Sequence, residues 1–213
     1  MIPVKILAVR YLPNAAPELS RGLGVPEGYP SLAMLTTDCD DATYIALDAA
    51  TKAAEVEVAY GRSFYAGAAN ASTPYAGEVI GVLAGPTPGA VRSGMESALS
   101  ELQRVGFEEV GGVPCLAHTV SRCGSFLARE AGIPEGSPIA YLIAPPLESM
   151  YALDAALKAA DVKLCKLYTP PTETNFGGGL LTGTQSACAA ACAAFRDAVA
   201  EVAGNPNKER HYG

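Results

Sequence analysis

Charged and aromatic side chains are scarce in this sequence: they make up 17% and 7% of its 213 residues. Fifteen Lys and Arg stand against 22 Asp and Glu, a net charge of -7. Nothing in that balance neutralises a run of phosphates, so no nucleic-acid partner is expected. No apolar run reaches the roughly 18 residues that cross a bilayer. The start, MIPVKILAVRYLPN, has too short an apolar part for a secretory signal and no small-residue cleavage site. A soluble cytosolic protein without a membrane partner is the expectation. CxxC is also missing. Cys39, Cys115, Cys123, Cys165, Cys188 and Cys192 are irregularly spread, which suits small buried thiols better than a disulfide framework. His118 and His211 lie far apart with no cysteines gathered around either, so a zinc site or a Cys/His pair is a weak reading. No serine-nucleophile motif occurs, nor a carboxylate pair with its own acid/base signature. No catalytic residue, metal or cofactor is assigned, and the chain is read as a non-enzyme.

What is present is 49% AVILMFWYC with 22 Gly and 16 Pro, enough apolar surface for one large domain or two small ones. Internal repetition decides between them. LSRGLGVPEGYPSLAML (19–35) matches LAREAGIPEGSPIAYLI (127–143) at a constant shift of 108, through Leu19/Leu127, Arg21/Arg129, Gly24/Gly132, Pro26/Pro134, Glu27/Glu135, Gly28/Gly136 and Pro30/Pro138. ALDAATKAAEVEV (46–58) meets ALDAALKAADVKL (152–164) at a shift of 106, with nine of thirteen positions identical. The chain is a tandem duplication with domains at 1–104 and 105–213.

Each half reads as one string of elements. A strand (4–12; 116–121) leads to a short helix (17–23; 125–131) closed by Gly24 or Gly132, with Pro two residues later. An apolar strand follows (31–37; 138–144), then a helix, for which Asp38 is the expected N-cap in the first half and Ser149 the expected start in the second. Next come a strand (55–60; 162–168), a loop rich in small residues, another strand (78–85; 179–183) and a final helix. Val91, Met95, Ala98 and Leu102 stripe the first of those helices, and nine Ala fall within 187–203 in the second, which stops at Gly204-Asn205-Pro206. Two α/β (α+β) units result, each a small, mostly antiparallel sheet covered by helices.

Three features invite a functional reading. Gly177-Gly178-Gly179-Leu-Leu-Thr-Gly183 has the glycines of a phosphate loop but not its Lys-Ser/Thr, and fits close backbone approach better. Asp38, Asp40 and Asp41 place three carboxylates in four residues. They either cap a helix and complement its dipole, or turn at least one acid into a cavity to hold a small cation, with Glu78 heading the next strand within reach. The loops Tyr65–Pro74 and Thr169–Gly179 occupy equivalent places in the repeat, as ordinary hairpin loops or as a pair that lines an opening.

The runs DCDDATYIALDAATK (38–52), VEVAYGRSFYAGAA (56–69), GEVIGVLAG (77–85), VSRCGSFL (120–127), AYLIAPPLE (140–148), ALDAALKAADV (152–162) and ETNFGGGLLTGTQSACAAACAAF (173–195) resemble the tandem-domain shell proteins of ethanolamine-utilisation bacterial microcompartments. The resemblance covers nearly the whole chain. It implies two circularly permuted microcompartment domains per chain, a homotrimer with six-fold pseudosymmetry, and tiling with other shell proteins around enclosed enzymes. It also implies a central pore gated by the two loops, about 65–76 and 168–179, with Tyr65, Asn70, Glu173, Asn175 and Phe176 among the gating residues. Small pores binding ethanolamine would be lined by Asp40, Asp41, Glu78, Phe107 and Thr174. An ammonium prefers carboxylates and an aromatic face, which agrees with that set. The competing expectation is a soluble trimeric amine sensor that does not tile.

Overall fold

The computed structural model describes residues 1–64, 78–170, 172 and 176–207. The chain forms two compact units. The first comprises residues 3–106 and 123–136, the second residues 1–2, 107–122 and 137–213. Compactness thus divides the chain differently from the repeat: the segment 123–136 comes from the second half of the sequence and folds into the first unit.

In the first unit, β1 (Ile6–Leu12), β2 (Ser31–Thr37), β4 (Glu78–Gly85) and β3 (Glu57–Phe64) form a sheet in the order β1-β2-β4-β3, with every pair antiparallel. Alternation along β2 sends Leu32 and Met34 to a cluster with Val82, Ala84 and Tyr29, and the opposite face takes helices α2 (Asp40–Ala53) and α3 (Pro88–Glu101). α2 comes close enough that a Cβ at Gly81 of β4 would meet Leu47 at 2.6 Å. The expected stripe on α3 is buried: Val91, Met95, Ala98 and the C-cap Leu102. α1 (Pro17–Gly22) is short, and Gly24, at φ 70°, follows it in the left-handed conformation that glycine tolerates.

The second unit repeats this plan with β6 (Val113–Val120), β7 (Ile139–Ala144), β9 (Gly177–Gly183) and β8 (Val162–Tyr168), again all antiparallel. Both outer strands carry a bulge at the same place in the repeat, between Val58 and Tyr60 in β3 and between Leu164 and Lys166 in β8. Helices α5 (Pro146–Ala159) and α6 (Gln185–Gly204) pack on this sheet through Ala152, Leu153, Ala156, Cys188, Ala191, Cys192 and Phe195. Among the described residues no helix is long and apolar enough to cross a membrane.

Several boundaries differ from those read in sequence. α2 begins at Asp40, with Cys39 as N-cap and no side-chain cap. Asp38 instead accepts the Lys5 N–H at 2.8 Å, and the Thr37 hydroxyl accepts the Cys39 N–H at 3.2 Å. α5 begins at Pro146 rather than Ser149, because a proline at the first helical turn loses no hydrogen bond. A fifth strand, β5 (Glu108–Val110), pairs with β6 across Gly111-Gly112, both at positive φ. Gly-Gly between two short extended segments is a hairpin signal. The glycine run belongs to β9 from Gly177 onward and not to a loop. A Cβ at Gly178 would run into the Leu142 carbonyl oxygen, and one at Gly179 would meet that of Lys166 at 2.6 Å. These glycines let neighbouring strands close up.

Helix α4 (Ser125–Ala131) carries the imported segment 123–136. Asp48 of α2, fully buried, accepts the Gly124 N–H at 2.8 Å and the Leu127 N–H at 2.9 Å, with Lys52 Nζ 3.2 Å away. The Thr51 hydroxyl accepts the Ser125 N–H at 3.2 Å, and Arg129 donates to the Val58 carbonyl at 3.2 Å. Phe126 packs against Tyr44, with ring centroids 5.8 Å apart. A buried carboxylate that receives charge-assisted hydrogen bonds contributes strongly, and deleting it orphans its donors. Asp48→Ala is expected to cost about 3 kcal/mol in urea unfolding and to abolish amide-exchange protection at Leu127; stability unchanged within 0.5 kcal/mol would refute this role.

Candidate functional site

The start of α2 and the end of the β3–β4 pair hold acids that a fold without a ligand would keep in water. Asp40, Asp41 and Glu78 are all buried. Asp40 and Asp41 stand in the first turn of α2, where their charge meets the helix dipole favourably. Glu78 opens β4 opposite Phe64 in the register, and Ser63 pairs with Val79 beside it.

The chain satisfies these acids unevenly. Asp40 Oδ1 accepts the Asp41 N–H at 2.9 Å, and the Asp40 carboxyl is also hydrogen-bonded to the Ser63 hydroxyl and to the Asp41 side chain. Ser63 in turn shares a 2.6 Å hydrogen bond with the Tyr44 hydroxyl. Glu78 Oε1 is buried with no hydrogen-bond partner among the described residues. Burial pushes the Asp40 carboxyl up from 3.8 to about 6, against the hydrogen bonds from Ser63 and Asp41 that favour its charged form. The first unit therefore concentrates acceptor capacity in a dry region. A compact organic cation that donates several hydrogen bonds is the chemistry it suits. Among the described residues, no three His, Cys, Asp or Glu side chains are placed to hold a metal ion.

The other two residues ascribed to the ligand site by resemblance are Phe107 and Thr174. Phe107 belongs to the second unit, where it is buried, packs with its ring tilted against Phe176 at 5.7 Å between ring centroids and accepts the Ile2 N–H at 2.6 Å through its carbonyl. Phe176, ascribed to a gating loop, is buried in that contact, and its carbonyl accepts the Thr172 hydroxyl at 3.0 Å. Thr174, Tyr65, Asn70, Glu173 and Asn175 lie outside the described residues. Tyr44 and Ser63 were not singled out in the sequence. Their signal was available only as polar residues at the helical and strand positions nearest the acids.

Cys115, Cys188 and Cys192 are poor nucleophiles. Burial pushes Cys115 up to about 12 and raises Cys188 and Cys192, so these thiols keep their protons at neutral pH.

Residues 31–112 match the BMC domain family. The chain is 57% identical over 210 residues to the bacterial microcompartment shell protein EutL of Clostridium perfringens, covering 97% of each sequence. It is 48% identical to EutL of Escherichia coli, covering 97% of this chain and 96% of that protein. Among solved structures, the ethanolamine utilization protein EutL from Leptotrichia buccalis superposes with a TM-score of 0.91 at 56% identity, covering 96% of both chains.

The Asp40 proton gives the acid cluster a pH signature. Its folded value, about 6, lies above the ordinary 3.8. The folded state holds the proton more tightly than the unfolded chain. The associated stability is complete below about pH 4 and is lost as pH rises through 6, by about 3 kcal/mol in all. Asp40→Asn mimics the protonated form, so it should raise the melting temperature by several degrees at pH 7.5 and leave it unchanged at pH 4. Equal effects at both pH values would refute the assignment.

Proposed function

Because the chain belongs to the EutL family of bacterial microcompartment shell proteins, we propose that it serves an ethanolamine-utilising compartment, binding ethanolamine at the buried acids and gating a pore. As a shell component it is structural and not an enzyme. Its halves, 1–104 and 105–213, are each one microcompartment domain. Three copies form a ring of six domains around a central pore, and rings tile with other shell proteins.

The observation that carries the ligand is Glu78 Oε1, without a hydrogen-bond partner among the described residues and buried in the unit that also buries Asp40 and Asp41. Ethanolamine is protonated at neutral pH. It brings three ammonium donors and one hydroxyl, and so supplies what a dry set of carboxylates lacks. Phe107 and Thr174 join the set through family resemblance. Binding couples to the gate as a population shift: whichever arrangement of the loops 65–76 and 169–176 holds the ammonium better gains population.

Calorimetry with ethanolamine tests this reading. Binding should tighten as pH rises from 5 to 7.5 and release a proton near pH 6, since the cation displaces the one held by Asp40. Glu78→Gln and Asp41→Asn should each weaken it at least tenfold, and Phe107→Ala and Thr174→Val by less. Absence of heat at millimolar ethanolamine rules the ligand out. Electron microscopy of concentrated protein tests the assembly separately, with extended hexagonal sheets expected; discrete particles at every concentration would favour a soluble sensor.

A further inference from the structure

Two hydroxyls accompany the buried acids. Ser63, near the end of β3, is hydrogen-bonded to the Asp40 carboxyl and shares a 2.6 Å hydrogen bond with Tyr44 of α2. The Tyr44 ring is closely confined. A Cβ at Gly61 would lie 3.3 Å from its Cε1, and Phe126 packs against it at 5.8 Å between ring centroids. A ring held between a strand and an aromatic neighbour keeps its hydroxyl aimed at one point, so little entropy is lost in forming the short bond.

Proton counting fixes the direction of this relay. A hydroxyl has one proton to give, and an ionised carboxylate only accepts. When Asp40 is charged, Ser63 donates to it and must in turn accept from Tyr44. A neutral carboxyl gains less from the same donor. The ionisable groups around Asp40 supply no comparable help. Asp38, Cys39 and Asp41 are its neighbours in the chain, Glu78 heads β4, and all of these titrate as acids. Lys5 meets Asp38 through its backbone and has an exposed side chain, and Lys52, at the far end of α2, pairs with Asp48. The arginines of the packed elements lie over aromatic rings: Arg62 of β3 over Tyr60, Arg92 of α3 over Tyr11 and Arg129 of α4 over Phe126. What the chain offers a charged Asp40 is therefore hydrogen bonds, from the Ser63 hydroxyl and the Asp41 amide.

The relay is confined to the half of the sequence that has the acids. α2 and α5, and the bulges of β3 and β8, correspond at a shift of 106. At that shift Asp40 becomes Pro146, Tyr44 becomes Met150 and Gly61 becomes Leu167. Carboxylate, phenol and the space beside the ring are absent together.

We propose that Ser63, oriented by the Tyr44 hydroxyl, is a positioning residue of the amine site, holding the Asp40 carboxylate in the charged form that accepts an ammonium. This rests on the ethanolamine reading above and adds a residue pair to it. Burial works against the charge and raises the Asp40 carboxyl to about 6, and the bond from Ser63 opposes that rise. Without the donor, Asp40 keeps its proton to higher pH and the cation must displace it there. The effect is confined to the range in which Asp40 titrates, whereas a defect of folding weakens binding at every pH.

Carboxyl carbon NMR of ligand-free, aspartate-labelled protein tests the relay, with the Asp40 resonance identified by its loss in Asp40→Asn. Ser63→Ala should raise the Asp40 titration midpoint by about one pH unit, and Tyr44→Phe by less, as expected for losing a hydrogen bond to a charged group. Ser63→Thr keeps the hydroxyl and should leave the midpoint in place. In calorimetry, Ser63→Ala should weaken ethanolamine binding about fivefold at pH 6 and less than about twofold at pH 8.5. A midpoint unchanged in both Ser63→Ala and Tyr44→Phe overturns the relay, as does equal weakening of binding at the two pH values. A midpoint that moves as expected in a protein that binds no ethanolamine supports the relay and overturns the ligand alone.

Discussion

The Asp48 carboxylate, buried in α2, is the tie on which the arrangement of the chain depends. It accepts two backbone amides at the start of α4 and faces Lys52. Those amides belong to the second half of the sequence, so one side chain fixes an element of one repeat in the compact unit of the other. The cost of burying the charge is offset because each oxygen has a donor and an ammonium stands close by. Asp154, the repeated residue, instead pairs with Lys158 at the surface. The same aspartate is thus a buried clasp in one unit and an exposed charge in the other, and the difference lies in whether a helix covers it.

The acids at the other end of α2 are held on different terms. Asp38 is satisfied by the Lys5 amide, while burial raises the Asp40 carboxyl to about 6, and Glu78 has one oxygen without a donor among the described residues. A sequence selected for stability alone would replace such groups with amides or apolar side chains. Retaining them reduces stability at neutral pH and leaves a set of acceptors ready for a cationic ligand, the trade that binding sites commonly make.

Much of the fold was legible because its signals are local. Periodicity and the repeat located the long helices, and the glycine and proline punctuation of 24–30 and 132–138 closed the two short ones and marked the same turn twice. The acids were conspicuous by their spacing in DCDD and by the GEV that opens β4. Other features escaped. Asp38 has the residue type of an N-cap, but its oxygen is taken by the distant Lys5. The glycines at 177–179 look like a loop until the strands on either side are placed and leave no space for a Cβ. Asp48 sat inside a matched block and attracted no notice, since its partners lie 76 and 79 residues away.

By itself the sequence determined the duplication, the order of elements apart from β5, the family and the identity of the candidate acids, all of which follow from residue type at short range or from similarity along the chain. Only the tertiary structure decided that segment 123–136 folds with the first unit, that Glu78 and Asp40 are buried, and that α4 is covered where α1 is bare. Those outcomes depend on which surfaces meet across long separations. Two stretches identical at nine of thirteen positions acquire different environments because a helix covers one of them within the chain and leaves the other exposed.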